Sequence, residues 1–329
     1  MGGNAIKNSR RINLIEHNSI VIEIMHLFPE IRMIVSETFR DKTDFGDIDF
    51  IVEKTSKFDI KQLIKDRLGE DLEYKDNNCF FSFNYKNVQI DFNFASPEEY
   101  LSMYYYTGKG DLGNFIGRVA RSLNFKYGHD GLSYECHLDD SYKLSVIVTR
   151  DMIKALEFLG YDSKKFLNGF DTEEDIFKYA TSSKYFNPLY FSLENQSHND
   201  RTRNKKRKMY QKMIKYIEDN NLISKPKLTD EERMMHYHRA IEIFGSSFDD
   251  EVNLKKEKYN KHQKFKKLFN GEIISELTGL TGKPLGQFIR DLKDKHTSEF
   301  FTLSDFVDEV IAGGPSYVRY IVAVQLTTR

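Results

Sequence analysis

The chain has 329 residues, 40% hydrophobic and 14% aromatic, so it can bury a substantial core and is not dominated by disorder. Its 49 Lys and Arg nearly balance its 50 Asp and Glu, giving a formal net charge of -1. The absence of a long apolar run, of a signal-peptide pattern and of enough cysteines for a disulfide framework predicts a cytoplasmic protein without a membrane span. The richness in Lys, Asn, Ile and Tyr is typical of an AT-rich genome, for example that of a phage acting in the bacterial cytoplasm.

The first half of the chain alternates between helical and strand-like patterns. Apolar residues recur at helical spacing in four segments, 19–28, 60–68, 97–106 and 112–123. Strand-like runs cover 31–35, 47–53, 71–75, 79–85 and 88–94, and a hairpin is expected over 132–137 and 143–149. The polar run SETFRDKTDFG between the first two strands is expected to be a turn region. Strands flanked by helices predict an α/β fold with a mixed sheet.

The second half is predicted to be mainly α-helical. Its helical patterns cover 150–160, 172–183, 205–220 and 229–245, several of them with N-terminal capping signals. We therefore expect an α/β domain over residues 1–162 and a helical domain over residues 163–329.

A pair of carboxylates marks the second strand. Asp47 and Asp49 are two residues apart in GDIDFIVE, so their side chains point to the same face of a strand. Two neighbouring carboxylates among apolar residues repel each other, and Mg²⁺ or Mn²⁺ would neutralise them. A solvated strand end is the simpler alternative, because D-x-D is common by chance.

A third carboxylate strengthens the metal interpretation. Asp91 lies in VQIDFNF and is expected to project from a neighbouring strand, although an edge-strand acid facing water is also compatible with the pattern. Three carboxylates on adjacent strands can hold two metal ions, which is the arrangement used for in-line phosphoryl transfer.

These residues and those that follow resemble the palm of the polymerase beta nucleotidyltransferase superfamily, particularly family X DNA polymerases. The similarity covers about residues 20–161. The matching positions are Arg40, Gly46-Asp47-Ile48-Asp49, Ile90-Asp91, Pro97-Glu98-Glu99-Tyr100, Tyr105-Tyr106-Thr107-Gly108, and Asn114 with Arg118. The resemblance implies a palm with a small thumb-like hairpin over residues 1–162.

The resemblance also implies roles for individual residues. Asp47 and Asp49 would bind both Mg²⁺ or Mn²⁺ ions, Asp91 would bind the ion that activates the primer hydroxyl, and Arg40 would pair with the incoming NTP or dNTP. Tyr105 and Tyr106 would pack against the nucleotide sugar, with Asn114 and Arg118 near its base or the primer terminus, and Thr107 and Gly108 belong to the same nucleotide-binding set. Plain core packing is the alternative for the two tyrosines.

Two departures from the family concern the phosphate contacts. Ser36-Glu37 occupies the place of the family's Gly-Ser turn, so an acid falls where a phosphate-binding hydroxyl is expected, unless a one-residue shift makes Ser36 that hydroxyl. Gly46 belongs to the same nucleotide-binding set. The spacing from the tetrad to Asn114 is also one residue longer than in the family.

The rest of the chain suggests a nucleic acid as the acceptor. The family's helix-hairpin-helix domains have no counterpart before the palm. A helical region follows it instead, as in CCA-adding enzymes and poly(A) polymerases, and residues 268–293 weakly resemble a Gly-containing segment of the bacterial CCA-adding enzymes. Two helices joined by a Gly-rich turn would explain that segment equally well.

A basic stretch supports the same interpretation. Residues 201–217 contain eight Lys or Arg and no acid. Such a stretch can bind phosphates, while Tyr210 and Tyr216 can stack on bases. The nucleic-acid-binding set is predicted as Arg203, Lys205, Lys206, Arg207, Lys208, Tyr210 and Lys212. A solvated helix face is the alternative.

The preferred hypothesis is therefore an enzyme that adds nucleotides, including ATP, to the 3′ hydroxyl of a nucleic acid by two-metal transfer. RNA ends, tRNA among them, rank ahead of DNA ends. A nucleotidyltransferase that modifies a small molecule or a protein shares the metal site, and a non-catalytic nucleic-acid-binding scaffold ranks last. Template dependence, nucleotide preference and oligomeric state have no signal in the sequence.

Overall fold

The computed structural model describes residues 5–69, 71–140, 142–297 and 302–327. By its internal contacts the chain divides into two compact units, Met1–Phe248 and Asp249–Arg329. The first unit contains all the strands of the described residues, and the second is helical.

A five-stranded mixed sheet organises the first unit. Its strands are β2 (Met33–Val35), β4 (Asp47–Glu53), β5 (Tyr74–Asp76), β6 (Phe80–Tyr85) and β7 (Val88–Ala95), in the order β2-β4-β7-β6-β5. The β4 and β7 strands pair in parallel, and the other pairs are antiparallel. The two central strands therefore run side by side in the same direction.

The two faces of the central strands have different chemistry because side chains alternate along a strand. On one face, Phe50 of β4 and Phe92 of β7 pack edge to face, with ring centroids 5.6 Å apart, in an aromatic core. On the other face, Ile51 and Ala95 join a small apolar cluster with Tyr100. The same alternation puts the polar residues of β4 and β7 on this second face.

Helices and two smaller sheets complete the first unit. β1 (Ile12–Asn13) pairs with β3 (Asp44–Phe45), and β8 (Phe125–Gly128), β9 (Gly131–His137) and β10 (Lys143–Thr149) form an antiparallel sheet. The helices are α1 (Leu14–Leu27), α2 (Ile60–Leu68), α3 (Tyr100–Thr107), α4 (Leu112–Ser122), α5 (Met152–Phe158), α6 (Ser163–Leu167), α7 (Glu173–Thr181), α8 (His198–Lys206), α9 (Lys208–Asp219) and α10 (Asp230–Phe244).

The second unit packs its helices around an apolar cluster that includes Phe269, Phe288 and Phe306. Its elements are α11 (Ser247–Leu268), which begins at the boundary of the units, α12 (Gly271–Thr278), α13 (Gly282–Lys295) and α14 (Leu303–Thr327). Gly279 and Gly282 have φ of +71° and +59°, which side-chain-bearing residues rarely adopt. Residues 268–293 thus contain two helices joined by a Gly-rich turn.

The predicted fold class is confirmed: a mixed-sheet α/β region is followed by a mainly helical one. The sequence missed β1, β3 and β8, which are short and carry little periodicity. The predicted division at residues 162 and 163 does not coincide with the division at Phe248, because helices after residue 162 pack on the α/β part, for example α7 on α4. Over the described ranges, no helix combines the length and the apolarity needed to span a membrane.

Candidate active site

Three carboxylates lie on the polar face of the two central strands. Asp47 and Asp49 belong to β4, and Asp91 belongs to β7. The register of the parallel pair sets Asp49 beside Asp91 and Asp47 beside Gln89. The sequence pattern thus predicted the shared face correctly.

Burial and neighbouring carboxylates raise the proton affinity of Asp49. Burial and the nearby charges of Asp47 and Asp91 raise the pKa of Asp49 to about 7, whereas Asn93 Nδ2 donates a hydrogen bond of 3.2 Å to Asp49 Oδ1. Burial also raises the pKa of Asp91. The charge of Lys42 acts on both Asp47 and Asp49 from the preceding loop. This face therefore carries an excess of negative charge in a partly desolvated place.

A buried glutamine fixes the third carboxylate. Gln89 is 3% exposed, and its Nε2 donates to both carboxylate oxygens of Asp91, at 3.0 and 2.8 Å. Its Oε1 accepts hydrogen bonds from the backbone N–H groups of Ala5 and Ile6, at 2.8 and 3.1 Å. Gln89 therefore links the N-terminal segment to Asp91 and sets the orientation of that carboxylate.

The site fits a divalent cation in donor chemistry and in charge. Carboxylate oxygens are the ligands that Mg²⁺ and Mn²⁺ prefer, and a cation would offset the burial and the carboxylate repulsion that together raise the pKa of Asp49. In the described part of the chain, however, no group of three or more His, Cys, Asp or Glu side chains is placed to hold one metal ion. Asp47 and Asp49 form an open pair, and the carboxylate of Asp91 is held by Gln89.

A cleft of about 1730 Å³ opens over this carboxylate pair. One wall comes from the loop after β2 and from β3 and β4, and includes Ser36, Lys42, Gly46, Asp47 and Asp49. The facing residues come from the start of α7 and from α8 and α9, and they include Glu173, Phe177, Arg203, Lys206, Arg207, Lys208, Lys212, Lys215 and Tyr216. Asp91 is beside Asp49 in register but does not line the cleft.

The loop after β2 is tied to the strand and to the α3–α4 turn. The Ser36 N–H donates to the carbonyl oxygen of Asp49 at 2.8 Å, and the Ser36 hydroxyl is 3.5 Å from that of Thr107. Glu37, the acid at the position where the sequence resemblance leads one to expect a hydroxyl, forms an ion pair with Lys109, which is 2% exposed. Thus Ser36 faces the cleft, and the charge of Glu37 is neutralised within the protein.

Arg40 is engaged away from the cleft. Its Nη1 lies 2.5 Å from Asp171 Oδ1, its Nη2 donates to the Asn168 carbonyl, and its backbone N–H donates to the Phe170 carbonyl at 3.0 Å. Gly169, with φ of +75°, passes so close that an added Cβ would lie 3.3 Å from Arg40 Nη2. Arg40, the residue predicted to bind the triphosphate, therefore does not line the cleft in this structure.

Most of the residues predicted to contact the sugar or the base pack against other parts of the protein and do not line the cleft. The Tyr105 ring packs 5.9 Å from Phe166, and the Tyr106 ring packs 5.9 Å from Tyr127, as the core-packing alternative expects. Of the tetrad, Thr107 lines the cleft, whereas Tyr105, Tyr106 and Gly108 do not.

Asn114 and Arg118 face α8 rather than the cleft. Asn114 Nδ2 donates to Asn204 Oδ1 at 3.1 Å, and Arg118, which is 5% exposed, lies 3.3 Å from Asp200. Their predicted position beside a base or a primer terminus is therefore not the one that the structure shows.

The predicted basic set divides into three groups. Arg203, Lys206 and Lys208 line the cleft without an ion pair among the described residues, whereas Arg207 and Lys212 line it paired with Asp111 and Glu173. Lys205 does not line the cleft.

The prediction that Tyr210 stacks on bases is wrong for this conformation. The residue is fully buried, its O–H donates to the Phe191 carbonyl at 2.9 Å, and it accepts a hydrogen bond of 2.6 Å from Gln196. Tyr216 does line the cleft, with its ring 5.6 Å from that of Phe177.

Among the residues that the sequence did not indicate are Lys42, Gln89 and Lys109. Lys42 and Lys109 lie in polar turn segments, where lysine is unremarkable. Gln89 had a usable signal, since it is two residues before Asp91 and must share its face if 88–94 is a strand.

Comparison with known proteins yields distant structural similarity alone. No protein-family model matches the chain, and no curated protein matches it. Among solved structures, it is similar to polymerase beta of Leishmania infantum in a ternary gap complex, with 12% identity over 52% of this chain and 67% of that chain, and a TM-score of 0.33. It is also similar to the ternary P/T complex of the same polymerase, with 12% identity over 53% of this chain and 74% of that chain, and a TM-score of 0.33. At this distance the similarity carries no argument about activity, which has to come from the residues of this chain.

Proposed function

We propose that this chain is a metal-dependent nucleotidyltransferase that moves a nucleotide from an NTP or dNTP to the 3′ hydroxyl of a nucleic acid. The observation that carries the proposal is the carboxylate pair Asp47 and Asp49, which lies on the same face of the sheet as Asp91. The pair lines a cleft that is also lined by cationic residues. Acidic residues that bind cations and basic residues that bind phosphates are both required for phosphoryl transfer between polyanions.

The proposed reaction is a substitution at the α-phosphorus of the nucleotide. The oxygen of the acceptor hydroxyl forms a bond to phosphorus, the bond to the pyrophosphate oxygen breaks, and the hydroxyl proton is released. Asp47, Asp49 and Asp91 would hold Mg²⁺ or Mn²⁺, which when bound supply Lewis-acid stabilisation of the phosphate charge and a lower pKa for the hydroxyl. Gln89 would position Asp91 for that task.

The cations opposite are suited to the acceptor strand. Arg203 and Lys206 line the cleft with no ion pair among the described residues, so their charges are available to phosphates. Tyr216 offers the aromatic surface that single-stranded nucleic acids use for base stacking. RNA ends rank ahead of DNA ends as the proposed acceptor, because a helical region follows the α/β part of the sequence, as in CCA-adding enzymes and poly(A) polymerases.

A small-molecule or protein acceptor is the second candidate. Half of the α8–α9 cations that line the cleft, Arg207, Lys212 and Lys215, are neutralised by carboxylates, which weakens the field available to a polynucleotide. This alternative keeps the same carboxylates and the same nucleotide.

The experiment is 3′-end extension. Labelled RNA and DNA oligonucleotides, with and without a template strand, are incubated with each NTP and dNTP in Mg²⁺ or Mn²⁺. The wild type is expected to lengthen at least one acceptor, and Asp49→Asn is expected to abolish the lengthening. Asp76→Asn is the matched control, since Asp76 is a carboxylate of the same sheet that pairs with Lys61 outside the cleft.

Two outcomes would contradict the proposal. Extension that is equal in wild type and Asp49→Asn would remove the carboxylate pair from the chemistry. Nucleotide binding without extension of any oligonucleotide would favour the small-molecule or protein acceptor.

A further inference from the structure

The cations of the cleft differ in whether they are already neutralised. Lys215 lies 2.8 Å from Asp219, and Arg11 Nε lies 2.7 Å from Asp44, so both charges are compensated within the protein. Arg207 and Lys212 are compensated in the same way. Within the described ranges, four lining cations have no ion pair: Lys42, Arg203, Lys206 and Lys208.

Two of these four act electrostatically on the segment that carries the carboxylate pair. Lys42, on the loop before β3, interacts electrostatically with Asp47 and Asp49 and sits 4.5 Å from the Phe45 ring centroid. The pKa of Asp44, three residues before Asp47, is lowered first by its hydrogen bond with Arg11 and further by the charges of Lys42 and of Lys208, the first residue of α9. Both lysines therefore lie close to the segment that leads into β4.

Hydroxyl donors are present at the same end. Ser36 and Thr107 both line the cleft, with their hydroxyl oxygens 3.5 Å apart. Lysine is a compact phosphate-binding charge, and hydroxyl groups donate to phosphate oxygens. Two ammonium groups and two hydroxyls beside a carboxylate pair form a complementary environment for a chain of phosphates bound with a divalent cation.

The arginine that the family resemblance assigns to this task is occupied elsewhere. Arg40 contacts Asp171 and the Asn168 carbonyl, and it does not line the cleft. Its contacts hold the loop after β2 against the segment before α7, which is a structural function.

We propose that Lys42 and Lys208 bind the phosphate chain of the nucleotide together with the hydroxyls of Ser36 and Thr107, and that Arg40 is a structural residue. This inference rests on the proposed function. It changes the residues that recognise the triphosphate and leaves the carboxylates unchanged.

Inorganic tripolyphosphate with Mg²⁺ tests the proposal without involving base or sugar. Its dissociation constant is measured by calorimetry for wild type, Lys42→Ala, Lys208→Ala and Arg40→Ala, and the same variants are then titrated with each NTP. We expect the dissociation constant to rise at least tenfold for Lys42→Ala and Lys208→Ala and less than twofold for Arg40→Ala. Lys42→Arg should retain most of the affinity, because it keeps the charge.

Lys164→Ala is the matched control, an exposed lysine of α6 outside the cleft that should bind tripolyphosphate as the wild type does. Extension kinetics add a readout that a structural role would not move: Lys42→Ala should raise the KM for nucleotide while leaving the dissociation constant of the acceptor oligonucleotide within twofold of wild type. Arg40→Ala should lower Tm without changing that KM.

The outcomes separate this inference from the proposed function. A wild type that extends acceptors while Arg40→Ala alone loses tripolyphosphate affinity would overturn the inference and leave the function standing. Equal affinity in Lys42→Ala, Lys208→Ala and wild type would do the same. A wild type that binds neither tripolyphosphate nor any NTP would overturn both.

Discussion

The two walls of the cleft differ in how far their charges are neutralised within the protein. On the sheet side, Asp47 and Asp49 are held together by the period of one strand, and burial together with the neighbouring carboxylates raises the pKa of Asp49. On the helical side, half of the lining cations are neutralised by carboxylates of their own neighbourhood, as Lys212 is by Glu173. The sheet wall therefore carries an excess of carboxylate charge. The helical wall carries some cations that are paired with carboxylates and some that are not.

This difference shows which sequence features are informative about function. A carboxylate pair that folding forces onto one face is costly unless a cation is bound, so it indicates function. A run of lysines and arginines has no such cost, because each residue can find an acid or solvent, and the run therefore says little about which members contact a ligand.

The largest expected effect comes from the sheet wall. Asp47→Asn should lower kcat for extension by about 10³-fold, the size seen when one preorganised electrostatic group is removed from a transition state. The dissociation constant of the acceptor oligonucleotide should stay within about threefold of wild type, because the carboxylates do not attract phosphates. Single-turnover kinetics and fluorescence anisotropy measure the two quantities. A variant that loses acceptor affinity but keeps kcat would reverse the roles of the walls.

The next effect tests the interior of the helical wall. Tyr210→Ala should destabilise the protein by about 3–5 kcal/mol, as expected for truncating a fully buried aromatic side chain. Tyr210→Phe removes only the hydroxyl bonded to Phe191 and Gln196 and should cost about 1–2 kcal/mol. Denaturant unfolding measures both.

Tyr216→Ala is the partner variant, since Tyr216 lines the cleft. It should weaken binding of a single-stranded oligonucleotide by about 1–3 kcal/mol. If Tyr210→Phe weakened oligonucleotide binding and Tyr216→Ala did not, the buried position of Tyr210 would not be the one that acts in solution.

The sequence was most predictive where one local rule decides the structure. Alternation along β4 and β7 placed Asp47, Asp49 and Asp91 on one face, and hydrophobic periodicity gave most helices. It was least predictive where long-range packing decides. No residue near Arg40 in the sequence indicates that Arg40 pairs with Asp171. The residues around Tyr210 are equally compatible with a tyrosine that faces solvent and with the buried one that the structure shows. Two of the neutralised cations likewise have partners far away along the chain, Arg207 with Asp111 and Lys212 with Glu173.

A pH experiment sharpens the contrast from the sheet side. The pKa of Asp49 is raised to about 7 in the folded protein, so between about pH 4 and 7 the folded state holds a proton that the unfolded state has released. Stability without metal should therefore fall as pH rises through this window. Asp49→Asn removes the loss and should be more stable than wild type at pH 8, by on the order of 4 kcal/mol, with no gain at pH 4.

Thermal unfolding in EDTA measures this difference, and a Tm higher by about 8–16 °C is expected for the variant at pH 8. Mg²⁺ should stabilise the wild type at pH 8 more than Asp49→Asn. The control is Asp219→Asn, which removes a cleft carboxylate that is paired with Lys215. If this control gained as much stability at pH 8 as Asp49→Asn, general cleft charge rather than the carboxylate pair would be the cause.

The smallest expected effect separates free from compensated cations on the helical wall. Each phosphate contact of a single strand adds about 0.7 to the slope of log K against log salt concentration. The double variant Arg203→Ala/Lys206→Ala should therefore lower that slope by about 1.4. Lys212→Ala/Lys215→Ala removes the same charge from residues paired with Glu173 and Asp219, and it should lower the slope by clearly less. Anisotropy titrations of a labelled oligonucleotide at salt concentrations from about 50 to about 300 mM measure this slope, since screening changes strongly over that range. Equal slopes for the two variants would mean that the ion pairs open when nucleic acid binds, so that the whole helical wall, and not its free cations alone, contacts the acceptor.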